Sequence, residues 1–221
     1  MARRRPVLVT GFEPFGGEDT NPSWEICRAL PAAIGRAPLE TLLVPTQFRR
    51  AIEETAAAIE RANPRLVILL GQAGGRACLS VERVAINVND ARIPDNHGAQ
   101  PVDGPVVNGG PAAYFSNLPV KAMLQAIRNE GVAAELSNSA GTFVCNHVFY
   151  ALMHQLVTQP GLRATRGGFL HLPCLPEQAA ALSAPVGMGL ADMVRGLQAG
   201  LQAALEHGAA RDLQIAAGST H

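Results

Sequence analysis

Arg65-LVILLG-Gln72 decides the fold: the run Leu66 to Leu70 is apolar without interruption and is closed by a glycine. An unalternating run of that length is a strand buried on both faces, so helices must lie above and below it. Working outward, the preceding stretch Phe48 to Ala62 repeats apolar residues at Ile52, Ala56 and Ile59, as an amphipathic helix does. Before it come a strand near Leu39 to Val44, a helix reaching about Leu30, and a strand Pro6 to Thr10 that runs into a Gly/Pro-rich loop up to Ser23. This βαβαβ rhythm calls for right-handed crossovers and a largely parallel sheet with helices on both faces. Downstream the pattern continues with a helix Leu118 to Asn129, a strand Ala133 to Ser137, a helix Cys145 to Val157, a strand Gly168 to Leu172 and a last helix Gly187 to Leu205. Between them, Gly71 to Gly110 is rich in Gly, Pro, Asn and Asp, with one apolar run at Val84 to Val88. It reads as long excursions at the carboxyl edge of the sheet, where open α/β folds bind ligands. Residues 1–207 are expected to form one domain and 208–221 a loose tail.

The chain has 221 residues, 48% hydrophobic and 16% charged, enough for one substantial core. Lys plus Arg and Asp plus Glu stand at 18 each, so no positive excess exists to neutralise a nucleic acid or an anionic membrane. The basic start Met1 to Arg5 is followed by too short an apolar run for a secretion signal, and no later run is long enough to span a bilayer. Four scattered cysteines fit reduced thiols in a reducing compartment. The expectation is a soluble, cytoplasmic protein whose partners are small or peptidic.

The chemistry concentrates in Ser137 to Tyr150, SNSAGTFVCNHVFY. Thr142 reads as a helix N-cap, with apolar residues at Val148, Leu152, Met153 and Leu156 following on one face. Cys145 then falls on the first turn, where free amides and the helix dipole lower a thiol pKa from about 8.5 toward neutrality. A sulfur nucleophile needs a histidine base and a group to orient it. His147 points to another side of the same helix from Cys145, and His207 and His221 lie at the chain's end. His171 closes the apolar run 168–173 (GFLHLP), at the carboxyl end of a buried strand, and is the better base. Glu82, beside another apolar run, is the candidate third member. The spacings of a dinucleotide fingerprint, a phosphate-binding P-loop and a serine elbow are all absent.

Together, residues 7–17 (VLVTGFEPFGG), 21–24 (NPSW), 71–76 (GQAGGR), 82–87 (ERVAIN), 90–96 (DARIPDN), 110–115 (GPAAYF), 140–147 (AGTFVCNH) and 168–173 resemble pyroglutamyl peptidase I, a cysteine peptidase family. The likeness covers about residues 6–178. It implies a three-layer α/β/α sandwich around a mostly parallel twisted sheet, no metal, no cofactor, a homotetramer, and removal of N-terminal pyroglutamyl residues from peptides. Carried onto matching positions, it makes Cys145 the nucleophile, His171 the base and Glu82 the orienting acid, with Arg92 near the developing oxyanion. The family carries an aromatic where this chain has Cys174.

A pyroglutamyl ring is small, flat and uncharged, and asks for apolar walls with a few fixed polar partners. Phe12 and Phe15 are expected to supply walls, Phe143 and Val144 to bring backbone groups beside the nucleophile, and Thr46 and Gln72 to contribute wall or polar contacts. A site without a carboxylate for an ammonium would reject ordinary N-termini. Two alternatives stand beside the peptidase: a zinc protein using Cys145, His147, His171 and Cys174, and a non-catalytic binding module on the same fold.

Overall fold

The computed structural model describes residues 4–181, 186–208 and 212–218. In chain order the elements are β1 (Val7–Phe12), α1 (Pro22–Ala29), β2 (Ala33–Ile34), β3 (Ala37–Val44), α2 (Phe48–Ala62), β4 (Leu66–Gln72), β5 (Leu79–Glu82) and β6 (Val84–Ile86). There follow β7 (Ala113–Phe115), α3 (Val120–Asn129), β8 (Ala134–Ser137), α4 (Val144–Thr158), β9 (Arg166–Leu172), α5 (Pro176–Ala181) and α6 (Leu190–Glu206). The main sheet has seven strands in the order β2-β3-β1-β4-β9-β5-β8.

β4 lies between β1 and β9, parallel to both, and every one of its residues is buried. Its alternation divides the core. Leu66, Ile68 and Leu70 pack with Ile26 of α1, Met123 and Ile127 of α3 and Leu197 of α6, whereas Val67 and Leu69 pack with Phe48 and Ile59 of α2 and Val148 and Leu152 of α4. Helices therefore cover both faces, and the molecule is an α/β/α sandwich with a mostly parallel sheet.

The segment read as excursions contributes to the sheet after all. β5 inserts between β9 and β8, antiparallel to β9, with Ser80 opposite His171, and parallel to β8. A strand of four residues after a glycine-rich turn has too few side chains to display a period, and so β5 is invisible to pattern reading. β6, also within that segment, pairs antiparallel with β7 just beyond it, and the two pack on α4.

The C-terminal segment expected to hang loose is docked where it is described. The Asp212 carboxylate accepts from the backbone N–H groups of Lys121 and Ala122 at 3.0 and 2.9 Å, capping α3, whose own N-cap position is Pro119. Ala217 packs on the core. Residues 209–211 and 219–221, His221 among them, lie outside the described part.

Candidate active site

The site sits above the carboxyl ends of β1, β4 and β9, at the start of α4. Gly141, with φ +75°, turns the chain leaving β8 through a left-handed conformation. Thr142, expected to cap α4, instead donates its hydroxyl to the Asp90 carbonyl at 2.7 Å. The N-cap position falls to Phe143, and no side chain caps the helix. The two side chains that follow Cys145 in the helix fasten it elsewhere. The Asn146 amide bonds Ile86 and Val88, and His147 Nδ1 lies 2.8 Å from Asn89 Oδ1.

Cys145 Sγ rests on Gly71 at the end of β4. A Cβ at residue 71 would stand 2.8 Å from that sulfur and 2.7 Å from Phe169 Cζ, so only glycine leaves the sulfur its place. Gly71 is also the register partner of His171 across the β4–β9 pair. His171 Nδ1 is 2.8 Å from Glu82 Oε1. With the proton on Nδ1 facing the carboxylate, Nε2 keeps the lone pair. Ser80 stands directly opposite His171, so Glu82, two residues along β5, is its diagonal neighbour on the same face, within reach of a glutamate's two methylenes.

Glu82 is fully buried, and its charge has a second partner that pattern reading missed. Arg76 Nη1 donates to the same Oε1 at 2.7 Å, and its Nη2 donates to the Ser139 carbonyl at 2.8 Å. Arg76 belongs to the GQAGGR block, but nothing in a sequence tells which carboxylate a loop arginine will meet.

A cavity of about 260 Å³ opens over these groups. All the side chains nominated from sequence border it except Glu82, which stands behind His171. Phe12, Phe15, Phe143 and Val144 supply apolar wall, and Phe15 and Phe143 approach with ring centroids 6.4 Å apart. Thr46 commits its hydroxyl to the Glu13 carbonyl. Gln72 donates through Nε2 to the buried Cys174 sulfur at 3.4 Å, while its Oε1 is buried with no partner among the described residues. The residue in place of an aromatic thus holds the Gln72 amide. Arg92 lies exposed at the rim. Asn21 and Asp90 also border the cavity, though neither was nominated. Asp90 meets Thr142 through its backbone, its carbonyl accepting the Thr142 hydroxyl and its N–H donating to the Thr142 carbonyl. A larger opening, about 570 Å³, lies at the opposite edge of the sheet among Arg4, Arg5, Arg36, Arg65 and Arg166, and contains no nucleophile.

The electrostatics reverse one expectation. Burial pushes the Cys145 thiol up to about 12 and the Glu82 charge adds to this, whereas Arg76 and the residue's own backbone N–H pull the other way without prevailing. Desolvation therefore outweighs the helix start. Burial also holds His171 below the usual imidazole range, opposed by its hydrogen bond to Glu82 and that carboxylate's charge, and reinforced by Arg76. Both shifts favour the uncharged forms, thiol and neutral imidazole. The zinc alternative loses its ligands: His147 is turned to Asn89, Cys174 to Gln72, and no cluster of three or more metal-binding side chains occurs among the described residues.

The pyroglutamyl peptidase family profile matches residues 5–207. The chain belongs to the pyroglutamyl peptidase family. Pyrrolidone-carboxylate peptidase of Bacillus cytotoxicus is 47% identical over 218 residues, covering 98% of this chain and 100% of that one. The Klebsiella pneumoniae protein of the same name is 51% identical over 216 residues, with 97% and 99% covered. The crystal structure of pyroglutamyl peptidase I from Bacillus amyloliquefaciens superposes with a TM-score of 0.91 at 43% identity, covering 97% of this chain and 100% of that one. Membership of the pyroglutamyl peptidase family makes this chain a cysteine peptidase and a hydrolase. Among its described residues no helix is long and apolar enough to cross a membrane.

Proposed function

We propose that the protein hydrolyses the amide bond that follows an N-terminal pyroglutamyl residue, with Cys145 as nucleophile, His171 as general base and acid, and Glu82 as the group that orients and supports the imidazole. The observation that carries this reading is one small cavity bordered by both Cys145 and His171, with His171 Nδ1 held at 2.8 Å by a fully buried glutamate.

As Sγ attacks the scissile carbonyl carbon, its proton passes to His171 Nε2. The thiolate exists only while that carbon–sulfur bond forms, in keeping with a thiol whose burial opposes free ionisation. Backbone N–H groups at the uncapped start of α4, and Arg92 from the rim, stabilise the tetrahedral oxyanion. The imidazolium returns the proton to the departing amine, leaving a pyroglutamyl thioester on Cys145. Water then adds to the thioester while His171 takes its proton, and collapse releases pyroglutamate and restores the thiol. Phe12, Phe15 and Phe143 enclose the ring. Gln72 Oε1, which has no partner among the described residues, accepts the lactam N–H, because a buried acceptor left unmade costs about 1–3 kcal/mol. Ligands without that N–H forgo the pairing.

We also assign the protein to the cytoplasm, on its four free cysteines, and to a homotetramer, in which subunit contacts would cover exposed apolar side chains such as Phe115 at 70% and Val157 at 61%. Light scattering at four times the 23.2 kDa chain mass would support the tetramer.

The activity is tested by release of a fluorescent amine from pyroglutamyl, prolyl and glutamyl amides, with wild type, Cys145→Ala and chelator-treated protein. Turnover of the pyroglutamyl amide alone, abolished in Cys145→Ala and indifferent to chelator, is expected. Equal turnover of the prolyl amide, or survival of activity in Cys145→Ala, would overturn the assignment.

A further inference from the structure

Among the described residues, Glu82 has one carboxylate oxygen with two donors and one with none. Oε1 receives His171 Nδ1 at 2.8 Å and Arg76 Nη1 at 2.7 Å, while Oε2 is buried without a partner. A buried carboxylate facing only an imidazole draws a proton onto that ring, since the ion pair is what relieves its charge. A guanidinium on the same oxygen removes the demand. Arg76 reaches this oxygen from the turn that follows β4, where the Ala73 N–H donates to the Leu172 carbonyl and the Arg76 N–H to the Ala73 carbonyl. Its second arm holds the Ser139 carbonyl, in the loop that leads into α4 and Cys145. One planar fork therefore spans the strand carrying the acid and the loop carrying the nucleophile, a geometry that lysine does not reproduce.

We propose that Arg76 is a positioning residue of the catalytic apparatus: by matching the charge of Glu82 and tethering the 138–143 loop, it leaves His171 neutral at rest and free to take the Cys145 proton. The inference rests on the assignment of Cys145, His171 and Glu82 above. Other charged or titratable groups facing the cluster are few. From β8, Glu135 lies 3.9 Å from Arg76 and accepts from the Ser80 hydroxyl. Cys78 is within the field of both Glu135 and Arg76, and Asp90 and Arg92 border the same cavity as His171. Glu135 competes for the guanidinium and weakens its hold on Glu82. Arg76 is 23% exposed, so its charge is only partly screened by solvent.

The sign of the effect is determined. Removing the positive charge takes away an influence that opposes protonation of His171, so the imidazole holds its proton to higher pH. The experiment is the pH profile of kcat/KM on a pyroglutamyl amide for wild type, Arg76→Gln, Arg76→Lys, Glu135→Gln and Cys145→Ala, with the pH dependence of iodoacetamide alkylation of Cys145 measured in parallel. In Arg76→Gln the acid limb moves up. The ratio of kcat/KM at pH 6 to its plateau falls about tenfold below the wild-type ratio, the alkylation profile moves with it, and the loss lies in kcat rather than KM. Arg76→Lys keeps the wild-type limb while losing plateau kcat through the lost tether. Glu135→Gln moves the limb down, and it decides the matter even if Arg76→Gln does not fold. An acid limb in Arg76→Gln that overlays wild type, a lysine variant shifted as far as the glutamine one, or a Glu135→Gln limb that stays put or rises would overturn the role of Arg76. Activity surviving in Cys145→Ala would instead sink the nucleophile assignment beneath it.

Discussion

Gly71 governs more of the site than any residue that reacts. Cys145 Sγ and Phe169 Cζ both occupy the space of its missing Cβ, and one of these neighbours is a ring fixed in the core. Gly71→Ala should therefore push the sulfur away from His171, since a densely packed wall does not retreat. We expect kcat/KM to fall about a hundredfold with the far-ultraviolet circular dichroism unchanged. Near-native activity would mean that the sulfur seat tolerates displacement. At this scale much of the site was legible. Cys145 and His171 stood out as candidates because a cysteine after a strand–glycine turn, and a histidine ending a buried strand, are both local patterns, whereas Glu82 was only a carboxylate beside an apolar run. The upward shift of the Cys145 thiol was not legible, because its desolvation depends on neighbours distant in sequence, such as Gly71 and Phe169. Arg76 and Asp90 were missed for the same reason.

Among elements, the helices differ in who caps them. Thr142 satisfied the sequence criterion for a cap and was drawn off to Asp90, leaving α4 open where the oxyanion is proposed to form. α2 and α3 are capped from afar instead. The Asp95 carboxylate accepts from Phe48 N–H at the start of α2, and Asp212 does the same for α3. Burial works against the Asp95 charge, yet the backbone N–H groups of Phe48, Ala99 and His97 outweigh it and hold the carboxyl below its usual range. Remote caps leave no local sequence signal, which is also why β5 went unseen. β4, α2 and β9, whose patterns are self-contained, stood out clearly. Asp212→Ala should cost about 1 kcal/mol, read as a lower midpoint in urea with unchanged slope. No loss would show that α3 draws its stability from its packing on α6 alone.

For the whole molecule, acid is the vulnerable direction. Burial lowers the His147 pKa from 6.5 to about 4, and it lowers that of His171 as well. An unfolded chain would bind those protons first, so stability is fully present above about pH 6.5 and drains away as pH falls toward 4. For His147 alone the loss approaches about 3 kcal/mol. Melting temperature should drop between pH 7.5 and pH 5 in wild type and drop less in His147→Gln. Parallel curves for the two would clear His147 of the effect.

The match to the family profile stops at residue 207, but the folded body does not. The cap on α3 is supplied from beyond that point, and Ala217 lies against the core. An affinity tag, fluorophore or fusion partner joined directly after His207 would therefore amputate a working part of the scaffold, whereas the same attachment beyond residue 218 leaves it whole.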